Sequence, residues 1–414
     1  MPPTTAMITN DAVILGLLAV TLGAIFWTSS RTSGAWHKFY TYVPALLMCY
    51  LVPAIYNSIG LVDGNASGLY PMARDYLLPS SLVLLCIAID MGAILRLGPK
   101  AIIMFLVGTG GVMLGAIVSF LAMGVIHPEA VAGETWRGMT TVAGSWIGGG
   151  ANQAAMKEVF AVESTMFGQF VAVDVLVANL WMAILLFLAA RAEAFDRWTR
   201  ADTSAIDDLK RRIEEYQSQH SRIPTLSDLM IILAVGLGAT GLSHFLAEPL
   251  VAWIGSLPAE WRLQDYSLDS RFFWLVVFAT TIGLVLSFTR ARQLEGAGAS
   301  RIGSAMLYVL VATIGMHMDL AALLDRPWLF LLGLIWISVH AILMLSVAKL
   351  IRAPLFFMAV GSQANIGGAA SAPIVASAFH PALAPVGVLL AVLGYALGTY
   401  CAYITGLLLQ AIAG

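Results

Sequence analysis

The sequence predicts an all-α polytopic membrane protein made of two inverted repeats, each holding a discontinuous, glycine-rich helix that crosses or re-enters the bilayer. Three observations predict it. The chain has too little charge to cover a water-exposed surface, it carries a series of apolar runs of bilayer length, and it repeats one string of glycines and amides in both halves. Of 414 residues, 59% are hydrophobic and 11% charged, with a mean hydropathy of +0.84, whereas soluble domains carry about a quarter charged residues. The net charge is −2 at pH 7 and no basic cluster long enough for a phosphate track occurs, so no nucleic-acid partner is expected.

Runs near or above about 18 apolar residues are long enough to cross a hydrocarbon core. They fall at 12–27, 41–60, 77–95, 101–125, 138–160 and 166–190, then at 228–247, 271–289, 302–323, 328–350, 354–379 and 385–412, which gives 10–12 membrane segments. No Lys or Arg precedes the first run, so it reads as a membrane helix and not as a cleaved signal peptide. Cys49, Cys86 and Cys401 sit inside apolar runs without CxxC or Cys/His spacing and read as small buried hydrophobes. Between the two sets of six, residues 191–227 form the single long hydrophilic stretch, read as a cytoplasmic linker between a first repeat, 1–190, and a second, 228–414.

The halves share landmarks. "DMGAIL" (Asp90 to Leu95) matches "DLAALL" (Asp319 to Leu324), and Gly144-Ser145 matches Gly361-Ser362. If segments 138–160 and 354–379 enter and leave on one side, each half crosses five times and the second half is inverted. An outside N-terminus then places 16 of the 22 Lys and Arg in the cytoplasm, as positive-charge retention favours.

The repeated strings are "TTVAGSWIGGGANQAAM" (Thr140 to Met156) and "FMAVGSQANIGGAASAP" (Phe357 to Pro373). Irregular backbone at membrane depth is tolerated only where protein or a water-filled cavity satisfies its amides. A broken helix offers free N–H groups and a positive dipole end at one terminus, and bare carbonyls at the other. Paired breaks in two inverted halves point to a transporter's central site. Ser145, Gly148, Gly149, Gly150, Ser362, Gly367 and Gly368 are therefore candidates to bind solute. Asn152, Gln153, Asp174, Gln363 and Asn365 are candidates to couple a cation, with Na⁺ the possible ion and no other metal or cofactor expected. The small residues of "GTGGVMLG" (Gly108 to Gly115) lack amides and acids and read as helix packing.

An ionisable group inside a membrane segment is costly unless paired, which makes Asp174 in "FVAVDVLVANLWMAILL" the clearest functional candidate, with Asn179 bordering the same cavity. Asp90 lies beside Arg96 and reads equally as an interfacial ion pair or a coupling residue; His340 reads as a satisfied core residue; His317 and Asp319 do not share a helix face unless the helix is broken there. Lys157 and Glu158 follow the first string, while "IVASAFH" has no acid or lysine at the comparable place, so coupling chemistry is expected to concentrate in the first half.

"GSWIGGGANQAAM" together with "NIGGAASAPIVA" (Asn365 to Ala376) resembles the YjcL-like family of bacterial and plastid membrane proteins, over most of the chain outside the linker. That family is similar, distantly, to cation/proton antiporters, bile-acid sodium symporters and citrate and glutamate sodium symporters. The resemblance implies a core domain around two discontinuous elements, packed on a panel domain, a homodimer, and secondary transport by an elevator-like movement in a bacterial plasma membrane. The expected function is thus coupled transport of a small, anionic organic solute with Na⁺ or H⁺. A channel is disfavoured because Asp174 has no ring of like charge in sequence. A membrane enzyme is disfavoured because no HExxH, GxGD or DxxxD pattern occurs, and no phosphate-binding loop supports primary pumping. An accessory subunit would leave the linker as its active part, and the linker carries no chemical signature.

Overall fold

The computed structural model describes residues 7–414 except 44, 65, 202–205, 207–223, 259–260, 262, 264–267, 319–325 and 381–382. Among the described residues the regular elements are helices, and six of these are long and apolar enough to cross a membrane, or up to eight spans if each bent pair counts as one. They are α1 (Asp11–Ser29), α7 (Pro99–Ile126), α9 (Ser164–Ala189), α11 (Leu226–Gly255), α14 (Trp328–Leu350) and α17 (Ala384–Ala413). Around them lie α2 (Gly34–Tyr42), α3 (Ala45–Ser58), α4 (Leu69–Met72), a π-helical turn (Ala73–Leu77), α5 (Leu78–Ile87), α6 (Met91–Arg96), α8 (Thr135–Val159) and α10 (Ala192–Thr199). α12 (Arg271–Ser287), α13 (Ala299–Gly315), α15 (Leu355–Ile366) and α16 (Gly368–Phe379) complete the set.

α7 and α14 fix the long axis. A helix of 28 residues extends about 40 Å at 1.5 Å per residue. The two run antiparallel: Lys100 Nζ donates to Arg352 O at 2.9 Å at one end, and the His127 and Trp328 rings stand 4.6 Å apart at the other. Their close approach comes from the glycines of "GTGGVMLG". A Cβ on Gly115 would lie 2.5 Å from Trp336, and one on Gly111 would lie 3.0 Å from His340. The Lys100 face also carries α10, whose Asp196 Oδ1 accepts the Leu355 N–H at 2.7 Å. The His127 face carries the start of α8, where Arg326 Nη1 donates to Thr135 Oγ1 at 3.3 Å.

α8 does not continue straight through. Gly149, at φ 73° and ψ −173°, interrupts it. In an unbroken helix Trp136 and Phe160 would be about 36 Å apart, yet their rings are 5.8 Å apart and Arg137 Nη1 donates to Phe160 O at 3.1 Å. Gly144 makes room for the return: a Cβ there would be 2.6 Å from Asn152 O. α15 and α16 make a second hairpin about Gly367 and Gly368. Phe356 and Phe379 are 5.4 Å apart, and Gly368 takes φ 58°. The first hairpin opens toward the His127 face and the second toward the Lys100 face.

Several segments differ from the sequence expectation. The run 77–95 is divided, because Asp90 accepts the Ala93 N–H at 2.9 Å and starts α6 as a separate helix. Asp90 pairs with Arg292 at 3.1 Å, not with Arg96. The run 302–323 ends its helix at Gly315, and Asp319, with the rest of "DLAALL", lies outside the described residues, as does most of the linker. The run 271–289 bends by 94° into a 3-10 turn at Arg290–Ala297.

Candidate functional site: two hairpin tips and a buried carboxylate

The tips of the two hairpins meet. A Cβ placed on Gly368 would lie 3.9 Å from Gly149 Cα. α17 packs against the first tip through its own glycines: Cβ atoms on Gly394 and Gly398 would lie 2.5 Å from Ile147 O and from Gly148 Cα. Gly148 itself has Gly394 O 2.7 Å from its would-be Cβ, while Gly150 has only Leu307 Cδ2, at 3.8 Å. Backbone thus approaches backbone at the point where two helices break.

Asp174 closes the first hairpin from the side. Its Oδ2 accepts from Ser145 Oγ at 2.6 Å and Gln153 Nε2 at 2.9 Å, and its Oδ1 accepts from Trp146 Nε1 at 2.6 Å. Ser145 and Trp146 stand on the entering arm and Gln153 on the returning arm, so one carboxylate ties both together. Asp174 is 5% exposed, and among the described residues no Lys, Arg or His forms an ion pair with it. Three neutral donors hold it.

Asn152 and Asn365 follow one pattern. Asn152 Nδ2 donates to Gly148 O and Tyr395 O, both at 3.0 Å, and its Oδ1 accepts from Thr399 Oγ1 at 2.6 Å. Asn365 Nδ2 donates to Gly361 O and Phe105 O, both at 2.9 Å, and its Oδ1 accepts from Thr109 Oγ1 at 2.8 Å. In each case the amide caps the carbonyl one turn back, then clips a carbonyl and a threonine one turn apart on a neighbouring helix. These two side chains fasten α8 to α17 and α15 to α7, and each keeps one lone pair on Oδ1.

The remaining candidates divide. Ser362 is fully buried, accepts from Trp181 Nε1 at 2.8 Å and lies 2.8 Å from His340 Nε2. Gln363 Nε2 donates to Ser371 Oγ at 2.7 Å across the second hairpin, while its buried Oε1 has no protein partner. Gly367 leaves space for that pair, since a Cβ there would lie 1.6 Å from Ser371 Oγ. Asn179 is apart from the cluster and donates to Val175 O at 2.6 Å.

Sequence reading did not identify Trp181, Thr109, Thr399 or Ser371, and it took His340 for an ordinary core residue. The available signal was polar: indole N–H and hydroxyl groups in apolar runs need partners. α9 emerges as a common strut, since Asp174 grips the first hairpin and Trp181, two turns later, grips Ser362 of the second.

Among the described residues no group of three or more His, Cys, Asp or Glu is placed to hold a metal. What is assembled instead is a dry cluster of hydroxyls, amides and one carboxylate beside two helix breaks. The chain is 23% identical over 352 residues to the uncharacterized membrane protein YjcL of Bacillus subtilis (strain 168), covering 84% of this chain and 85% of that protein. The family model for a protein of unknown function, DUF819, matches residues 16–412, and with that extent of match this multi-span membrane protein belongs to the DUF819 family.

Proposed function

We propose that the protein is a secondary active transporter that moves a small organic anion together with Na⁺ or H⁺ by alternating access. The meeting of the two hairpin tips at Gly149 and Gly368, beside Asp174, carries this reading. The returning arm of α8 and the first turn of α16 both begin there, so two sets of unpaired helix N–H groups are available to a carboxylate. The entering arms end there too, and their last carbonyls, with Asp174 and Gln363 Oε1, suit a cation. In a bilayer the hairpins act as re-entrant elements from opposite sides. Each half, 1–190 and 228–414, then crosses five times and the halves are inverted, an arrangement associated with transporters that bind at the midplane.

The same topology sets the N-terminus outside and the linker in the cytoplasm of a bacterial plasma membrane, with the excess of Lys and Arg on the linker side. The hairpins, α9 and α17 form the part that moves as an elevator, the remaining helices form the scaffold, and the scaffold pairs in a homodimer. The direct test is thermal unfolding of the purified protein with Na⁺, K⁺, varied pH and a panel of organic acids, because a ligand of the native state raises Tm by mass action. The expected result is a rise with Na⁺ or a solute response that follows pH, lost in Asp174→Asn. Silence with every ion, pH and solute removes the proposal.

A further inference from the structure

A cavity of about 380 Å³ opens on the His127 face, lined by Arg74, Asp75, Glu158, Ser270, Arg271 and Phe272. Pockets for small ligands start at about 300 Å³. Three elements build it. Glu158 comes from the returning arm of the α8 hairpin, Arg74 and Asp75 from the π-helical turn, and Ser270 and Arg271 from the N-terminus of α12. A π-helical turn is rare and frequently marks a functional site; here it sets Arg74 and Asp75 on the cavity wall.

The charges around this cavity are matched but loosely joined. Arg74 Nε bonds Asp75 Oδ1 at 2.8 Å. By contrast Arg74 Nη1 is 3.7 Å from Glu158 Oε2, and Arg271 Nη2 is 3.7 Å from Asp75 Oδ2. Charge-assisted hydrogen bonds close at about 2.7–2.9 Å, so the Arg74–Glu158 and Arg271–Asp75 pairs stop short of bonding, while Arg271 Nη1 donates a long bond to Glu248 Oε1 at 3.4 Å. Glu158 is held from behind by Lys157 Nζ at 2.9 Å and by the Tyr70 hydroxyl. Counting Lys157 behind Glu158 and Glu248 beside Arg271, three cations and three carboxylates balance, so a simple anion or a simple cation gains from one set and is repelled by the other. A molecule with both charges gains from both.

We propose that this cavity is an outer binding site for a zwitterion, a small molecule bearing a carboxylate and an ammonium group. The carboxylate lies between Arg74 and Arg271, and the ammonium faces Asp75 and Glu158. Phe272 and Leu275 supply an apolar wall for the rest of the molecule. Insertion replaces the long Arg74–Glu158 pair and so loosens the α8 arm from the π-helical turn. That the bound molecule then moves to the hairpin tips rests on the proposed transport function; the binding itself does not.

The test is thermal unfolding of the full-length protein with alanine, glutamate, lysine and phenylalanine, and with propionate and ethylamine, which each keep one of alanine's two charges. At least one amino acid is expected to raise Tm by about 2 °C or more at saturation, while propionate and ethylamine leave it unmoved. Arg271→Gln and Glu158→Gln each abolish the shift, and Asp174→Asn retains it. The comparison among ligands uses the wild-type protein, so it stands even if Glu158→Gln does not fold. Propionate acting as well as alanine overturns the inference in favour of an anion site. No shift with any amino acid overturns it in favour of a purely structural ion-pair network. A shift that survives Arg271→Gln but disappears in Asp174→Asn overturns it as well, by locating the ligand at the hairpin tips, and leaves the transport reading intact. Conversely, a shift that depends on Arg271 in a protein unresponsive to ions, pH and organic acids keeps this site and removes cation coupling.

Discussion

At the scale of single residues, the sequence showed where amides and glycines crowd an apolar chain but not what each amide grips. Asn152 and Asn365 were legible as unusual because a buried amide must find partners. Their partners, Thr399 and Thr109, were not, because the register between two packed helices is a tertiary property. Their shared pattern predicts a structural cost. Asn152→Ala removes the second bond to Tyr395 O, which keeps its intrahelical partner, and leaves the Thr399 hydroxyl with Thr280 alone, at about 1 kcal/mol per lost bond. Calorimetry on Asn152→Ala, Thr399→Val and the double variant should show a combined loss of stability smaller than the sum, since both single changes remove the same Thr399–Asn152 hydrogen bond. Asp174→Asn is different in kind. It presents an amide N–H₂ to at least one of three donors that now converge on a carboxylate. The expected outcome is a variant that folds with lowered Tm, no longer responds to Na⁺, and has lost any solute response that follows pH.

At the scale of elements, the helix breaks are legible in the sequence, whereas the doubling back of each broken helix on itself is set by a few small residues in their tertiary setting. Gly149 at φ 73° and ψ −173° occupies backbone space that is essentially restricted to glycine, and Gly144 lets the arms touch. Gly149→Ala should therefore cost about 1–3 kcal/mol and abolish any ligand-induced rise in Tm. Gly150→Ala, one residue on, would meet only Leu307 Cδ2 at 3.8 Å and should be close to neutral. Running the two variants side by side separates backbone strain from mere loss of a glycine. A second element-level prediction concerns the start of α9, where Glu163 accepts the Thr165 and Met166 N–H groups at 2.9 and 3.0 Å. Partial burial pushes this carboxyl up, but the two amide bonds outweigh it and hold it below its ordinary 4.5. A depressed carboxyl contributes stability above its unfolded value and loses it as pH falls through the folded one. Tm should thus fall with acidification below pH 4.5, and less steeply in Glu163→Gln.

At the scale of the whole molecule, apolar runs foretold a multi-span membrane protein, and the two faces show what composition alone could not arrange. Among the described residues most ion pairs lie on the His127 face, where Arg74, Asp75, Glu158, Glu248 and Arg271 join the first hairpin, the π-helical turn, α11 and α12. The base of the second hairpin is held by Asp196 and by Lys100 on Arg352 O. Orientation is testable directly. Glu129 and Glu193 are exposed on opposite faces, so Glu129→Cys should react with an impermeant maleimide in intact cells, and Glu193→Cys only after permeabilisation; the reverse pattern would invert the topology. The unpaired carboxylate near the middle of α9 has a last consequence. A fixed negative charge carried through the bilayer feels the membrane voltage, worth about 2.3 kcal/mol per elementary charge per 100 mV. On the proposed transport reading, a cation that joins Asp174 acts as an electrical shield as well as a driving force. Current recorded from proteoliposomes should arise mainly from the return of the empty, anionic carrier, and should vanish when Asp174 is replaced by Asn.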